Sequence, residues 1–350
     1  MSLKARLEAE IAATGPISIA EFMMRCLHDP KDGYYATRPA LGAAGDFITA
    51  PAISQMFGEL IGVWLIETWR AMGAPAPFVL AEAGPGDGTL MGDVLRVARG
   101  APDFLAGAEL WLLEASAPLK ALQAEKLAGW DVHWAASLTE PPAGRPLLLV
   151  ANELLDCLPT RQYRRTGEGW AEQVVGLDAR GALAFGLRPA PPPGPEAPVG
   201  ALIERSPAQE AFAQELAERI VGAGGAALLI DYGRAAPDCG DTLQAVAGHR
   251  KVDPLAAPGE ADLTVHADFP AVLAAARAAG AEAALLTQGE FLRRMGIEAR
   301  AAALARAHPD RAAQIGRQLA RLTAPDQMGE AFKAAAIWKG AAPPAFEAGA

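Results

Sequence analysis

Short apolar runs alternate with helical patterns from about residue 77 onward. The runs lie at 78–81, 110–113, 147–151 and 226–230. Apolar runs of this length are typical of strands that are buried on both faces, as in parallel sheets. Because helical patterns separate them, they predict an α/β fold in which crossover helices cover a mostly parallel sheet.

Three parts of the chain depart from this alternation. Residues 1–70 have helical patterns around a polar, glycine-containing loop, which indicates an N-terminal helical cap. Residues 161–200 contain short alternating segments and then a proline-rich stretch, which predicts a small antiparallel insertion with a stiff exit. Residues 288–325 are rich in alanine and arginine and predict a helical subdomain. The sheet core is then assigned to residues 71–287 and 331–340.

A helix start is predicted at Ser206. Pro207 stands at the first helical position and Gln209 at the third. In a capping box, the serine side chain accepts from the backbone of the third residue, and the side chain of that residue returns the bond. We therefore expect a helix from about residue 207 that begins with a reciprocal pair of bonds between Ser206 and Gln209.

Composition and charge exclude several classes of protein. The 350 residues are 51% hydrophobic, which suffices for a sizeable core and argues against disorder. With 31 basic against 41 acidic side chains, the formal net charge is -10, and the basic residues form no cluster. This charge disfavours nucleic acid and anionic lipid as partners. Cys26, Cys157 and Cys239 are far apart and offer neither a disulfide framework nor a CxxC metal site, which favours a reducing compartment.

The sequence shows no targeting or membrane signal. Both charge signs occur within the first eight residues, unlike the start of a secretory signal. No window approaches the roughly 18 consecutive apolar residues that a bilayer span needs, and the run at 61–66 is closed by Glu67. We expect no membrane insertion.

The first predicted strand runs directly into a glycine loop before a helix. Gly84, Gly86 and Gly88 let the backbone approach a ligand closely. A dinucleotide motif would need a third glycine where Thr89 stands, and a P-loop would need a lysine before that threonine. The ExGxGxG pattern that begins at Glu82 is similar instead to motif I of class I S-adenosylmethionine-dependent methyltransferases. An anionic strand end also suits a ligand with an ammonium and a sulfonium better than a pyrophosphate.

The second predicted strand ends at Glu114. A carboxylate at this place can accept hydrogen bonds from both ribose hydroxyls of a nucleoside ligand. NAD enzymes have a similar carboxylate, so Glu114 supports a ribose-containing ligand without choosing between the two cofactors. On the alternative interpretation, the glycines form a tight structural turn and Glu114 is a solvated strand end.

Asn152, Glu153 and Asp156 follow the run at 147–151. Ligands of doubly wound sheets bind beyond the carboxyl ends of the strands, so these side chains are predicted at the reaction site. Glu153 and Asp156 could hold a guanidinium, orient one nitrogen and accept its proton. On the other interpretation, Asn152 caps a helix and the two carboxylates belong to its solvated first turn. The residues alone leave both interpretations open.

Candidates for the substrate pocket follow the last apolar run. Asp231 and Tyr232 end that run, so Asp231 either lines the pocket or caps the next turn. His249 and His266 come later, but their spacing with the neighbouring aspartates matches no recognised metal site, and no metal is predicted. A hydrolase is also disfavoured, because there is no GxSxG motif and no histidine beside Cys157.

As a set, these residues resemble one family, the MidA-like methyltransferases, which include the mitochondrial complex I assembly factor with protein-arginine methyltransferase activity. The resemblance spans most of the chain. Its most specific part is the loop from Gly42 to Gly58, because many methyltransferases share the glycine loop alone. The matching stretches are 28–30, 33–35, 42–51, 54–59, 82–88, 152–156, 230–233, 240–243 with His249, 253–254, 262–264 with His266, 288–292, 328–329 and 332–333.

The resemblance implies a class I methyltransferase core with a Rossmann-like sheet and S-adenosyl-L-methionine as the cofactor. It also implies an N-terminal segment folded over the cofactor, with Phe47 and Thr49 among the cofactor-binding residues. The implied reaction is monomethylation or symmetric dimethylation of a protein arginine, which in the mitochondrial member belongs to a subunit of respiratory complex I. Because the chain lacks an Arg- and Ser-rich transit peptide, we expect a bacterial, cytoplasmic protein.

Two other functions stay open at this point. One is an assembly chaperone that binds the cofactor and grips a respiratory subunit without transferring a methyl group. The insertion and the helical subdomain would offer surfaces for that role. The other is a small-molecule amine methyltransferase, since an acidic site suits any cationic amine. The sequence indicates neither the methylated target nor the oligomeric state.

Overall fold

The structure is a computed structural model that describes residues 1–37, 49–194 and 196–347. The helices are α1 (Leu3–Thr14), α2 (Ile19–His28), α3 (Tyr34–Thr37), α4 (Ala50–Ile53), α5 (Gln55–Ala71), α6 (Thr89–Ala98), α7 (Pro102–Gly107), α8 (Ala117–Lys126), α9 (Pro207–Ala223), α10 (Phe269–Ala278), α11 (Gln288–Arg294), α12 (Ile297–Ala307) and α13 (Ala312–Thr323). The strands are β1 (Ile17–Ser18), β2 (Phe78–Ala83), β3 (Ala108–Leu113), β4 (Val132–Ala135), β5 (Leu147–Asn152), β6 (Arg161–Thr166), β7 (Gly169–Leu177), β8 (Leu183–Pro189), β9 (Leu202–Arg205), β10 (Gly225–Arg234), β11 (Gln244–Ala247), β12 (Arg250–Val252), β13 (Asp262–Thr264), β14 (Ala267–Asp268), β15 (Glu282–Thr287) and β16 (Phe332–Lys339).

One sheet dominates the fold. Its strands stand in the order β15-β16-β10-β5-β2-β3-β4, and β14 pairs with β10 beside this path. The strands from β10 to β4 are mutually parallel, whereas β16 is antiparallel to both of its neighbours. Each of the four apolar runs lies in one of the parallel strands. The predicted α/β fold with a mostly parallel sheet is therefore confirmed.

Helices cover the sheet on both faces, and alternate residues of each strand explain why. In β5, Leu148 and Val150 pack into a core that contains α5 and α6. Leu147 and Leu149 point to the opposite face and pack with α9 and α10. A strand that must fill two cores is apolar at every position, which is the pattern that the sequence displays.

The N-terminal helices pack against two smaller antiparallel sheets. The first contains β1, β6, β7, β8 and β9, and the second has the order β12-β11-β13. Ile17 of β1 pairs with Val175 of β7, so the N-terminal segment supplies a strand to the sheet of the insertion. The α2 helix begins with a capping box between Ser18 and Glu21. Buried residues of α1, α2 and both sheets form a third hydrophobic core.

The capping box predicted at Ser206 is formed only in part. Ser206 caps α9 and its hydroxyl accepts from the backbone N–H of Gln209 at 3.2 Å. The Gln209 side chain does not return this bond. It donates to the carbonyl of Leu155 at 2.8 Å and accepts from the N–H of Asp268 at 2.9 Å. Two tertiary partners thus replace the local one, and the prediction of a reciprocal box was wrong.

The helical segment after β15 contains α11, α12 and α13 and packs onto α5. The buried Glu59 of α5 accepts hydrogen bonds from Arg96 at 2.8 Å and from Arg300 of α12 at 2.7 and 2.9 Å. This carboxylate therefore ties three helices together. None of the helices in the described ranges is long and apolar enough to cross a membrane. The division of the chain into cap, core, insertion and helical subdomain stays a prediction.

Candidate active site

A cavity of about 610 Å³ lies at the carboxyl ends of β2, β3 and β5. Ligand pockets of proteins commonly enclose about 300–1,000 Å³. The segments that follow the three strands form its floor, and residues from the N-terminal helices cover it, among them Leu27 and Tyr35. The structure thus brings Glu82, Glu114 and Glu153, which were predicted at strand ends, to one place, as the parallel sheet requires.

The glycine loop after β2 has a backbone that favours glycine at each of its three glycine positions. Gly84, Gly86 and Gly88 have φ angles of 67°, 53° and 83°, in the left-handed region. A Cβ atom at Gly84 would also approach Leu154 Cδ1 to 3.0 Å. Gly88 caps α6, so the free amides of the first turn of that helix follow directly. Gly84 and Gly86 line the cavity.

Glu82 is a buried carboxylate with an unused oxygen. Its residue is 2% exposed, and Oε2 has no hydrogen-bond partner among the described residues. Burial raises the pKa of Glu82 to about 8, and the nearby Asp87 acts in the same direction. A buried acceptor without a partner is costly, so a donor group of a bound ligand would satisfy it. Glu82 lines the cavity and fits the role of a cofactor contact.

Glu114 follows β3 and is held by two donors. Its Oε1 accepts from the backbone N–H of Ser116 at 2.7 Å, and its Oε2 accepts from Gln123 Nε2 at 3.2 Å. Burial raises the pKa of Glu114, while these two donors and the backbone N–H of Ala115 lower it. A carboxylate has about four lone-pair sites, so Glu114 retains acceptor capacity for ribose hydroxyls.

Glu153 follows β5 in a strained conformation. Its φ angle is 54°, which is rare for a residue other than glycine, and its N–H donates to the carbonyl of Ile230 at 2.8 Å. Its Oε1 accepts from Asn152 Nδ2 at 2.9 Å and from the N–H of Ala50 at 3.3 Å. Burial and then the charge of Asp156 raise the pKa of Glu153 to about 8. Strain of this kind persists where the surrounding structure holds a side chain in a required place.

Asp156 and Asp231 lie behind this carboxylate. Neither of them lines the cavity that the described residues form. Asp231 is fully buried, and its oxygens accept from the N–H groups of Leu155 at 2.8 Å, Asp156 at 3.1 Å and Tyr232 at 2.8 Å. Of the two roles considered for Asp231, the geometry is that of a turn cap. Burial raises the pKa of Asp156 to about 6.

Three other pocket candidates lie away from the cavity. Tyr232 contacts the ring of His266 with centroids 5.5 Å apart and that of Phe332 at 5.4 Å. His249 sits with a φ of 60° in the exposed turn between β11 and β12. None of Tyr232, His249 and His266 lines the cavity bounded by the described residues, and a role for them in the substrate pocket stays a prediction. Chain order alone does not determine which of these side chains reach the cavity, since Tyr232 lies within β10 whereas His249 lies in a turn.

Several cavity residues had no predicted role. Tyr35 lines the cavity, its carbonyl accepts from Ser116 Oγ at 2.8 Å, and its hydroxyl donates to Asp262 at 3.2 Å. Cys157 also lines it, and burial raises the pKa of its thiol, which disfavours the thiolate form that a nucleophile needs. The resemblance had already highlighted Tyr35 as part of a matching stretch. Tyr35 and its two partners are more than 80 residues apart in the sequence, and contacts over such separations cannot be predicted from local patterns.

The N-terminal loop is described only at its end. Thr49 lines the cavity, as expected for a cofactor contact, whereas Phe47 lies outside the described residues. In the described ranges no group of three or more His, Cys, Asp or Glu side chains is arranged to hold a metal ion. The prediction that no metal is needed stays a prediction.

Comparison with known proteins agrees with this arrangement. A family model described as "Putative S-adenosyl-L-methionine-dependent methyltransferase" matches residues 60–287. The chain belongs to this family. The match includes the glycine loop, Glu114 and Glu153, so the methyltransferase family model covers the floor of the cavity.

Relatives of this methyltransferase extend the likeness over nearly the whole chain. The zebrafish (Danio rerio) "Protein arginine methyltransferase NDUFAF7, mitochondrial" is 36% identical, over 95% of this chain and 86% of its own length. The bovine (Bos taurus) protein of the same name is 38% identical, over 83% of this chain and 72% of its own. A crystal structure from Burkholderia thailandensis, bound to S-adenosyl-homocysteine, has a TM-score of 0.85 and 29% identity, over 99% of this chain and 95% of its own.

Proposed function

We propose that this S-adenosyl-L-methionine-dependent methyltransferase methylates an arginine side chain of a protein. The observation that carries the proposal is Glu153, a strained carboxylate that lines the cavity between the cofactor end and the N-terminal cap. The curated relatives that are named protein arginine methyltransferases support the choice of arginine.

The cofactor end is formed by the glycine loop and two carboxylates. Gly84, Gly86 and Gly88 would lie against the methionine part of the cofactor. Glu82 would accept from a donor group of the cofactor with its Oε2, which has no partner among the described residues, and Glu114 would accept from the ribose hydroxyls. The orphaned buried oxygen of Glu82 is the structural reason to expect a cationic or hydroxyl-bearing ligand here.

At the other end, Glu153 would orient the guanidinium and take its proton. When bound, the cofactor supplies an electrophilic methyl group on a sulfonium. Because Asn152 fixes one oxygen of Glu153, the carboxylate presents a defined direction to a guanidinium N–H. On methylation the attacking nitrogen loses one proton, and a carboxylate with a pKa of about 8 can hold it near neutral pH.

Asp156 would act through Glu153 rather than on the substrate. It is buried outside the cavity, and its charge helps to raise the pKa of Glu153. A raised pKa makes Glu153 a better proton acceptor at the operating pH. We therefore assign Asp156 a positioning role, and Asp231 fixes the turn that carries it.

A subunit of respiratory complex I is the proposed target, on the strength of the family resemblance. The protein partner itself follows from the names of the relatives. The cytoplasmic location stays a prediction, since the curated relatives are named mitochondrial and the similar crystal structure comes from a bacterium.

The test is a transfer assay with Glu153→Gln. Purified protein is mixed with S-adenosyl-L-methionine that carries a tritiated methyl group and with membranes that contain complex I from cells lacking this protein. We expect label in methylarginine after protein hydrolysis. Glu153→Gln should lower the transfer rate by about ten- to a hundredfold, because a charge-assisted hydrogen bond contributes about 1.5–3 kcal/mol. Its affinity for S-adenosylhomocysteine, measured by calorimetry, should match that of the parent.

A matched control is Glu125→Gln, which makes the same change at an exposed position of α8. It should alter neither transfer nor cofactor affinity. Label in another amino acid, or in the low-mass fraction, would contradict protein arginine methylation, and the second result would indicate a small-molecule amine methyltransferase. Restored complex I assembly in deletion cells that carry Glu153→Gln would favour the chaperone.

A further inference from the structure

We propose that Gln123 is a positioning residue that holds the ribose-binding carboxylate and the glycine loop in one arrangement. The inference rests on the proposed role of Glu114 as a cofactor contact. Gln123 lies on α8, is fully buried and does not line the cavity. It would therefore act on the cofactor only through the groups that it holds.

The amide of Gln123 joins two separate segments of the cofactor site. Its Nε2 donates to the carbonyl of Gly86 at 2.7 Å and to Glu114 Oε2 at 3.2 Å. Gly86 belongs to the loop after β2, and Glu114 follows β3. One side chain thus sets the separation between the loop that would face the methionine part and the carboxylate that would face the ribose.

Trp134 fixes which way this amide points. The Gln123 Oε1 accepts from Trp134 Nε1 at 2.8 Å. An indole N–H can only donate, so the oxygen of the amide must face it and both amide hydrogens must face Gly86 and Glu114. The orientation is determined by chemistry, and a residue without a donor at position 123 would leave Glu114 anchored only by the backbone N–H groups of Ser116 and Ala115.

Packing of α8 on the glycine loop adds to this grip. A Cβ atom at Gly88 would lie 3.5 Å from Gln123 Cα, so the loop and the helix are in contact. Lys126, one turn further along α8, donates to Asp87 and to Thr89 at 2.6 Å each. The loop is therefore attached to α8 at two successive turns of the helix.

The test is a double-mutant cycle with S-adenosylhomocysteine as the probe, measured by calorimetry on the whole protein. Glu114→Ala should weaken binding, which checks the proposed ribose contact by itself. Gln123→Leu should weaken binding by about tenfold, the loss of one hydrogen bond to a charged group. Trp134→Phe keeps an aromatic ring but removes the donor, and should cost a few-fold. In the Glu114→Ala background, Gln123→Leu should cost much less than it does alone.

The control is Gln214→Leu, which removes an exposed glutamine that donates to Glu218 at 2.8 Å on α9. It should leave the affinity unchanged. If Glu114→Ala binds as well as the parent, the ribose contact is wrong. Two results would overturn the positioning role of Gln123. In the first, Glu114→Ala weakens binding but Gln123→Leu and Trp134→Phe do not. In the second, the effects of Glu114→Ala and Gln123→Leu simply add. Should Gln123→Leu fail to fold, Trp134→Phe alone decides in the same way.

Discussion

Glu153 should make the protein less stable as the pH rises, and Glu153→Gln should remove that effect. The carboxylate lines the cavity and its pKa is raised to about 8, against an ordinary value of 4.5. Between these two values the folded protein binds a proton that the unfolded chain has released. The free energy of unfolding must therefore fall as the pH rises through this window.

The size of the effect follows from the same two values. Each pKa unit corresponds to about 1.36 kcal/mol, which sets an upper limit of roughly 5 kcal/mol for the full difference. Because Glu153 is only half-buried and faces the cavity, we expect about 2–4 kcal/mol. A glutamine at this position can still accept from Asn152 and Ala50, so no hydrogen bond of the folded state needs to be lost. The gain in stability of Glu153→Gln should thus be small at pH 5 and grow to its full size near pH 9.

Thermal unfolding of the parent and of Glu153→Gln at a series of pH values measures this difference. The midpoint of the variant should exceed that of the parent by several degrees at pH 9, and the two should nearly coincide at pH 5. Glu125→Gln, at an exposed position, should follow the parent throughout. A difference in midpoint that does not change with pH would refute the argument, because Glu153 would then not titrate in this window. The rate of methyl transfer by the parent should rise with pH through about 8, whereas its stability falls, since only the ionised form of Glu153 accepts the proton.

Two further predictions concern the loop and the helices. Gly86→Ala should weaken the binding of S-adenosylhomocysteine in calorimetry, because it adds a methyl group to backbone that lines the cavity. The control is Gly181→Ala, since Gly181 is also left-handed, with a φ of 80°, but lies on an exposed turn. This variant should lose only about 1 kcal/mol of stability and bind with unchanged affinity. Glu59→Ala should lower the free energy of unfolding, measured in urea, by about 2 kcal/mol. This is less than the roughly 3–5 kcal/mol typical of buried pairs, because Arg300 is partly exposed. Glu67→Ala on the same helix should change the free energy of unfolding by less than about 1 kcal/mol, and equal losses in the two variants would contradict the argument.

The sheet could be predicted from the sequence because its strands fill two cores. β2, β3, β5 and β10 are apolar at nearly every position, and this pattern can be recognised without knowing which strands lie beside them. The apolar pattern does not predict β4, because this strand lies at the edge of the sheet and is half exposed. It does not predict β15 either, because the alanines of that strand fit a helix equally well. The second bond of the capping box failed for a related reason, since tertiary partners claimed the Gln209 side chain.

The floor of the site could also be predicted, because parallel strands end at one edge. Glu82, Glu114 and Glu153 all line the cavity, as strand order implied. What lies beyond the first residue or two after a strand could not be predicted. Asp156 lies four residues after the end of β5, in a turn whose N–H groups bond to Asp231 of β10, and neither carboxylate lines the cavity. Such placements depend on how each loop folds back, which no local pattern encodes.

The pairing of β1 with β7 has a consequence for synthesis on the ribosome. Ile17 leaves the exit tunnel long before its partner Val175, which follows about 160 residues later. At roughly 5–20 residues per second, the apolar sides of the first two helices wait about ten to thirty seconds for the first of the two sheets that cover them. Newly made N-terminal segments of this enzyme are therefore natural clients for chaperones that bind nascent chains, and slowing translation after Val265, where the core shared by α1, α2 and both small sheets ends, should matter less than slowing it before.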